Sequence, residues 1–272
     1  MEEILRFDKI NYSYNHERMA LKNFSVTLYE QQKVAVLGNN GAGKSTFFLC
    51  CNGILKPDSG RMYLWNEEIK GTKKEILLLR QSVGLVFQDP DNQMIGGTVE
   101  AEISFGPMNL KLPETAVHKQ VDEAIKKMRL EKLRTRAPHY LSGGEKKRVS
   151  IADVLAMNPK LLLFDEPAAS LDPENTCLLE NNLEMLRERG LGIVIATHDV
   201  DFAWRFADRV LVFHDGELAA DADPETVFSN EKLLKECGLA QPLLFQVGKI
   251  YQLNPLPRVI TDIKGSGNAK SI

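Results

Sequence analysis

The stretch Gly38-Asn39-Asn40-Gly41-Ala42-Gly43-Lys44-Ser45-Thr46 decides the fold. It satisfies G-x-x-x-x-G-K-[ST] in full. The apolar run Val34-Ala35-Val36-Leu37 leads into it and reads as a buried strand; Thr46 to about Asn52 reads as a helix. A strand, a glycine-rich loop and a helix in that order form an anion site. Glycines let successive N–H groups converge on one anion, and the helix adds the positive end of its dipole. In such a loop Lys44 reaches the β- and γ-phosphates of a nucleotide, and the Ser45 hydroxyl is a ligand for Mg²⁺. A glycine-rich turn that binds nothing is the plain alternative; the full match in this context weighs against it.

Upstream, Ile4 to Leu28 alternates with period two, as in Phe24, Val26 and Leu28, and reads as antiparallel strands. Tyr14 ends Asn11-Tyr12-Ser13-Tyr14 just before a polar loop. It can stack on an adenine, although periodicity by itself favours a half-buried strand aromatic. Downstream, Lys56 to Gly60 reads as a turn, Arg61 to Trp65 as a strand, and Val83 to Phe87 as a second buried strand. The latter runs into the polar loop Gln88-Asp89-Pro90-Asp91-Asn92-Gln93. Helices are expected from about Thr98 to Phe105 and around Val117, Val121, Ala124, Ile125 and Met128, which recur at helical spacing.

Leu141-Ser142-Gly143-Gly144-Glu145 precedes a helix to about Met157. Alone, it reads as an N-cap turn. Leu161 to Phe164 is a continuous apolar run that ends in Asp165-Glu166, where open α/β sheets bind ligands. Strand alternation predicts that these two carboxylates face opposite sides. One can then order Mg²⁺ through water while the other polarises a water. A helix from about Pro173 to Arg189 and a strand, Ile193 to Ala196, lead to His198, another residue at a carboxyl-end strand terminus.

Composition narrows the class. The chain has 272 residues, 43% apolar and 26% charged, with net charge −3, so no global basic field attracts nucleic acid. No apolar run approaches the ~20 residues that span a bilayer. The acidic start, Met1-Glu2-Glu3, is not read as a signal peptide. Cys50, Cys51, Cys177 and Cys237 lack C-x-x-C spacing, so neither zinc nor a disulfide framework is expected. These features place the chain in the cytoplasm.

In this order the motifs resemble the nucleotide-binding subunits of ABC transporters, over about residues 3–228. The resemblance implies an α/β fold of the P-loop ABC ATPase type. Its parts are a mixed central sheet, an antiparallel β part, a helical subdomain at about 95–158, and a C-terminal extension at 229–272. It also implies ATP as substrate and Mg²⁺ as cofactor. Tyr14 would stack on adenine, and the loop Gly38–Thr46 would bind the phosphates. Ser45, Gln88 and Asp165 would serve the metal, and Gln88 would also sense the attacking water. Glu166 would be the general base, and His198 would hold the γ-phosphate. Leu141, Ser142, Gly143, Gly144 and Glu145 would act in trans, with Ser142 and Gly144 facing ATP on a second subunit. Asp172 would lie in a loop that speaks across that dimer. Ala168-Ala169-Ser170 departs from the family's usual Thr-x-Gly at positions that ligate nothing.

A finer resemblance lies in Phe87 to Gln93, in Phe105-Gly106-Pro107-Met108-Asn109-Leu110 and in Pro255-Leu256-Pro257-Arg258. These are similar to ATPases of energy-coupling-factor importers of cobalt, nickel or vitamins. That implies integral membrane partners, a second ATPase subunit (a copy or a paralogue), and a place on the cytoplasmic face of the membrane. A soluble ABC ATPase of DNA repair or translation is the rival reading. Such chains carry paired ATPase units, a coiled-coil insertion or zinc cysteines, which this sequence lacks. The tail from Glu231 to Leu239 reads as a helix stopped by Gly238. It should pack on its own domain or on the other subunit, and Gly265 to Ile272 should fray.

Overall fold

The computed structural model describes residues 2–15, 18–169 and 173–265. Asp172, with Ser170 and Leu171, and the polar end beyond residue 265 lie outside the described residues, and so do the expectations attached to them.

The strand that launches the phosphate loop, β3 (Lys33–Leu37), lies inside a six-stranded sheet. Its parallel neighbours are β8 (Gly192–Ala196) and β9 (Arg209–His214). Beyond β8 come β7 (Leu161–Asp165) and β6 (Val83–Val86), also parallel; β10 (Glu217–Ala222) closes the other edge antiparallel to β9. Parallel strands covered on both faces need apolar side chains on both, which explains the unbroken aliphatic runs. In β3, Ala35 and Leu37 join the core on one face while Val34 and Val36 join the core on the other.

The period-two segment forms β1 (Glu3–Tyr14) and β2 (Arg18–Tyr29), paired antiparallel. With β4 (Ser59–Leu64) and β5 (Glu67–Glu68) they make a second sheet. The helix α1 (Lys44–Cys51) packs between the two sheets. Phe47 of α1 meets Phe24 of β2 at 5.0 Å and Phe213 of β9 at 5.5 Å between ring centroids. Such ring pairs contribute ~0.5–1.5 kcal/mol each beyond their buried area. They fix the helix that carries Lys44 and Ser45.

The helix α2 (Lys73–Ser82) was not anticipated. It begins with a capping box between Thr72 and Glu75 and leads straight into β6. After β6 the chain forms α3 (Val99–Asn109), α4 (Glu114–Lys127) and α5 (Gly143–Leu155), which pack on one another. Val117, Val121, Ala124 and Ile125 bury one face of α4, as their spacing predicts. Inside this layer Arg134 pairs with Glu100 and, at 2.7 Å, with Asp122.

The remaining helices are α6 (Pro173–Glu188), α7 (Val200–Phe206), α8 (Pro224–Ser229), α9 (Glu231–Cys237), α10 (Leu243–Ile250) and α11 (Ile260–Gly265). Helix α9 ends where expected, at Gly238 in the left-handed region (φ 64°). Phe245 of α10 is buried against Trp204, with centroids 5.2 Å apart, and against Phe228. The Trp204 indole N–H donates to the Pro257 carbonyl at 2.8 Å, and Arg258 donates to the Ala207 carbonyl at 2.7 Å. The extension therefore folds onto its own chain. Among the described residues no helix is long and apolar enough to cross a membrane.

Candidate functional site

The phosphate loop depends on two glycines that nothing else can replace. A Cβ on Gly38 (φ 144°) would lie 2.4 Å from the Phe213 carbonyl oxygen, and one on Gly43 (φ 112°) 2.5 Å from that of Ala20. Backbone from β9 and β2 thus presses on the loop at both ends. Within it, Lys44 is buried and its Nζ donates to the carbonyls of Gly38 at 2.6 Å and Asn39 at 3.2 Å. Burial lowers the Lys44 pKa, opposed by the charges of Glu166 and Asp165. The Asn39 side chain also touches the extension: a Cβ on Gly238 would lie 2.7 Å from Asn39 Nδ2.

A cavity of about 340 Å³ opens over this loop. Its walls include Tyr14, Asn40, Gly41, Gly43, Lys44, Ser45, Thr46, Gln88, Asp165 and Glu166. Residues far apart in sequence but expected to share one nucleotide are therefore brought together. Ser45 Oγ donates to Asp165 Oδ2 at 2.9 Å. Burial pushes the Asp165 carboxyl up, the Ser45 hydroxyl opposes that, and the Glu166 charge adds to it. Two hard oxygen ligands this close, with Gln88 in the same cavity, fit Mg²⁺ rather than a softer metal. Tyr14 is half exposed at the cavity wall, and its hydroxyl lies 3.3 Å from Thr46 Oγ1.

One expectation is corrected here. Asp165 and Glu166 do not face opposite sides; both line the same cavity. Strand alternation fails because β7 ends at Asp165, and Glu166 turns into the left-handed region (φ 45°). A non-glycine residue held there is strained by ~1–3 kcal/mol, and such strain gathers at functional sites. The two carboxylates still have separate partners. Glu166 Oε1 lies 3.0 Å from His198 Nδ1, whose ring is otherwise largely exposed.

Leu141, Ser142, Gly143, Gly144 and Glu145 do not line this cavity. They form the start of α5, with Ser142 at its N-cap. Ser142 and Glu145 form a capping box: Glu145 Oε2 accepts from the Ser142 N–H at 2.8 Å. That bond leads the causes holding the Glu145 carboxyl below its ordinary value. Ser142 and Gly143 are exposed.

Sequence reasoning missed Arg18 and Ala20 in the cavity wall. Their signal was the hairpin itself, since Tyr14 pairs with Arg18 across β1 and β2. It also missed Lys147, which is buried between α5 and the Gln88 loop.

Fold and cavity together define a P-loop ATPase. Comparison with known proteins gives the family. The ABC transporter family model matches residues 21–169. The energy-coupling factor transporter ATP-binding protein EcfA2 of Clostridium perfringens is 42% identical over 251 residues, 92% of this chain and 87% of that one. EcfA of Methanothermobacter thermautotrophicus is 43% identical over 233 residues, 86% of this chain and 75% of that one. Among solved structures, CbiO1 from Clostridium perfringens, described as part of the ABC transporter complex cbiONQ, superposes with TM-score 0.77 at 40% identity. It covers 93% of this chain and 100% of its own. An ATP-binding cassette solved as a dimer in a post-hydrolysis state with ADP and phosphate superposes with TM-score 0.71 at 28% identity, over 81% of this chain and 99% of its own. The chain belongs to the ABC transporter ATP-binding family, in its energy-coupling-factor group.

Proposed function

We propose that this chain is the ATP-hydrolysing subunit of an energy-coupling-factor importer, powering uptake of cobalt or another micronutrient. The observation that carries the catalytic part is the convergence of Lys44, Ser45, Gln88, Asp165 and Glu166 on one cavity, with His198 in contact with Glu166. Lys44 and the loop N–H groups bind the β- and γ-phosphates. Ser45, Gln88 and Asp165 would hold Mg²⁺, which when bound offsets charge on the phosphate oxygens. Glu166 accepts a proton from the attacking water, and the His198 contact orients that carboxylate. Tyr14 stacks on the adenine. Two subunits, copies or paralogues, close head to tail, so that Ser142 and Gly144 of each reach the ATP held by the other. Exclusion of water at that closure strengthens every contact to the γ-phosphate. Opening after hydrolysis moves a membrane subunit.

That membrane partner meets the helical layer between Gln88 and about Met128. Phe105 and Met108 lie three apart on α3 and are both exposed, as is Ile95 ahead of it. Apolar side chains left in water on such a face suit a partner helix. Residues 1–228 act as the ATPase domain, and residues 229–272 keep paired subunits associated. The neighbours support the transport reading: energy-coupling factor transporter ATP-binding proteins, and CbiO1 of the cbiONQ complex. Peripheral attachment to the cytoplasmic face of the membrane follows from the same reading. A vitamin is the alternative cargo.

The test is purification of the complex with its membrane subunits, followed by uptake of labelled cobalt and of vitamins with the wild type and Glu166→Gln. Cargo whose uptake needs Glu166 names the substrate. ATP turnover with no membrane partner and no ATP-dependent uptake would reject the transporter reading.

A further inference from the structure

The turn Leu141–Glu145 opens α5, and the Gln88 loop is held by one face of that helix. Lys147 is 5% exposed, and its Nζ donates to the carbonyls of Phe87 at 2.9 Å and Gln88 at 3.2 Å. One residue earlier, Lys146 Nζ lies 2.7 Å from Asp91 Oδ1. Further along, Gln93 Nε2 donates to the Ser150 carbonyl at 3.4 Å and to Asp153 Oδ2 at 3.2 Å. Gln93 Oε1 in turn accepts from the Phe87 N–H at 3.4 Å. Positions 146, 147, 150 and 153 share one stripe of a helix. The loop 87–93 is therefore strapped at three points to the helix whose N-cap is Ser142.

A buried ammonium is costly to keep where it is unless it holds something in place. Lys147 replaces its water with two carbonyls of the loop segment that carries the Gln88 side chain into the cavity wall. We propose that Lys147 is a positioning residue that couples the two nucleotide sites, fixing Gln88 of its own site and Ser142 of the opposite site in a single rigid element. A change at Gln88 on ATP binding then displaces the turn that reads ATP on the partner subunit. This rests on the reading that Ser142 acts across the dimer.

The experiment uses a Glu166→Gln background, in which ATP-bound dimers accumulate. Two quantities are measured: ATP affinity of the monomer, and the ATP-driven monomer–dimer equilibrium by sedimentation. Lys147→Met removes the donor while keeping an unbranched chain. Charge-assisted hydrogen bonds are worth about 1.5–3 kcal/mol, so ATP-driven association is expected to weaken at least about tenfold. Monomer affinity for ATP should stay within about twofold, which also shows that the variant folds. Lys147→Gln restores a donor and should recover association to within about threefold. A merely structural lysine would lower monomer ATP binding together with association and would not be rescued by Gln. Association unchanged in Lys147→Met, or unrescued by Lys147→Gln, overturns the coupling. Ser142→Arg in the same background separates the two layers. If it associates normally, or if the background itself never dimerises with ATP, the cross-dimer reading fails and takes the coupling with it. If Ser142→Arg blocks association and Lys147→Met does not, only the coupling fails.

Discussion

Glu166 Oε1 and His198 Nδ1 lie 3.0 Å apart, one at the end of β7 and the other just after the neighbouring strand β8. The Glu166 N–H donates to the Ala196 carbonyl at 2.9 Å, so the sheet itself fixes the approach of the two side chains. On the proposed reading, this carboxylate, held in the left-handed region beside an imidazole, takes a proton from the attacking water.

Glu166→Gln is expected to keep ATP binding and lower turnover by about 10²–10⁴-fold, because the amide preserves shape but cannot accept the proton. It should also accumulate ATP-bound dimers. Steady-state ATPase and sedimentation with ATP measure both effects. Turnover within about twofold of wild type would remove Glu166 as the base.

Ser142→Arg separates the cap from the site. Loss of the N-cap costs about 1 kcal/mol and should lower Tm by roughly 2–4 °C. ATP binding to the monomer should be nearly unchanged, since Ser142 does not line its own chain's cavity. ATP-driven association should disappear. A large loss of monomer ATP binding would place the Leu141–Glu145 turn at its own chain's nucleotide.

Asp153 gives a pH signature. Burial pushes its carboxyl up to about 7, with the Gln93 hydrogen bond opposing and the Glu102 charge adding to burial. In the unfolded chain an aspartate titrates near ~4. A folded value above the unfolded one means that the fold binds the proton more tightly. Its contribution is complete at pH below the unfolded value and is lost as pH rises toward about 7. Asp153→Asn keeps an acceptor for Gln93 and cannot ionise. Its Tm should exceed that of wild type by several degrees near about pH 8, with the gap narrowing to about a third near about pH 5 and closing below about pH 4. Thermal melts at both pH values check this; an equal gap at both would refute it.

The extension makes two separable contributions. Phe245→Ala should cost about 3–5 kcal/mol by emptying the space beside Trp204 and Phe228. Truncation after Asn230 should leave a folded chain of lower Tm that still binds ATP but associates less without nucleotide. Sedimentation of nucleotide-free wild type and truncated protein decides the second point. An unchanged monomer–dimer equilibrium would leave the extension as cover for its own domain.

What could be read from the chain followed from how local the physics was. Strands β3, β6, β7 and β8 announced themselves because burial on both faces forces continuous aliphatic runs. The α4 stripe did so through its 3.6-residue period. The β9–β10 hairpin escaped, although Asp215-Gly216 between an apolar strand and its partner is a strong turn signal. The opposite facing expected of Asp165 and Glu166 fails because strand alternation holds only while the strand lasts, and a positive φ leaves no mark in composition. Lys147 was invisible for another reason. It is held by two backbone carbonyls distant in sequence, and nothing in its flanking residues distinguishes it from the other cations of the chain.

The pairing of β3 has a consequence for how the molecule is made. Val34 pairs with Val194 on one side and with Arg209 on the other. Both partners are synthesised long after it. The phosphate loop therefore leaves the ribosome without the strands that hold its base, and Phe213, whose backbone presses on Gly38, arrives with the last of them. Parallel pairing over such separations closes slowly and only after a large loop entropy has been overcome. Until β9 is in place the chain exposes aliphatic strands with unpaired edges, and nucleotide has no finished site through which to stabilise it. Chains interrupted before residue 209 are thus the aggregation-prone species of this protein, whatever motifs they already contain.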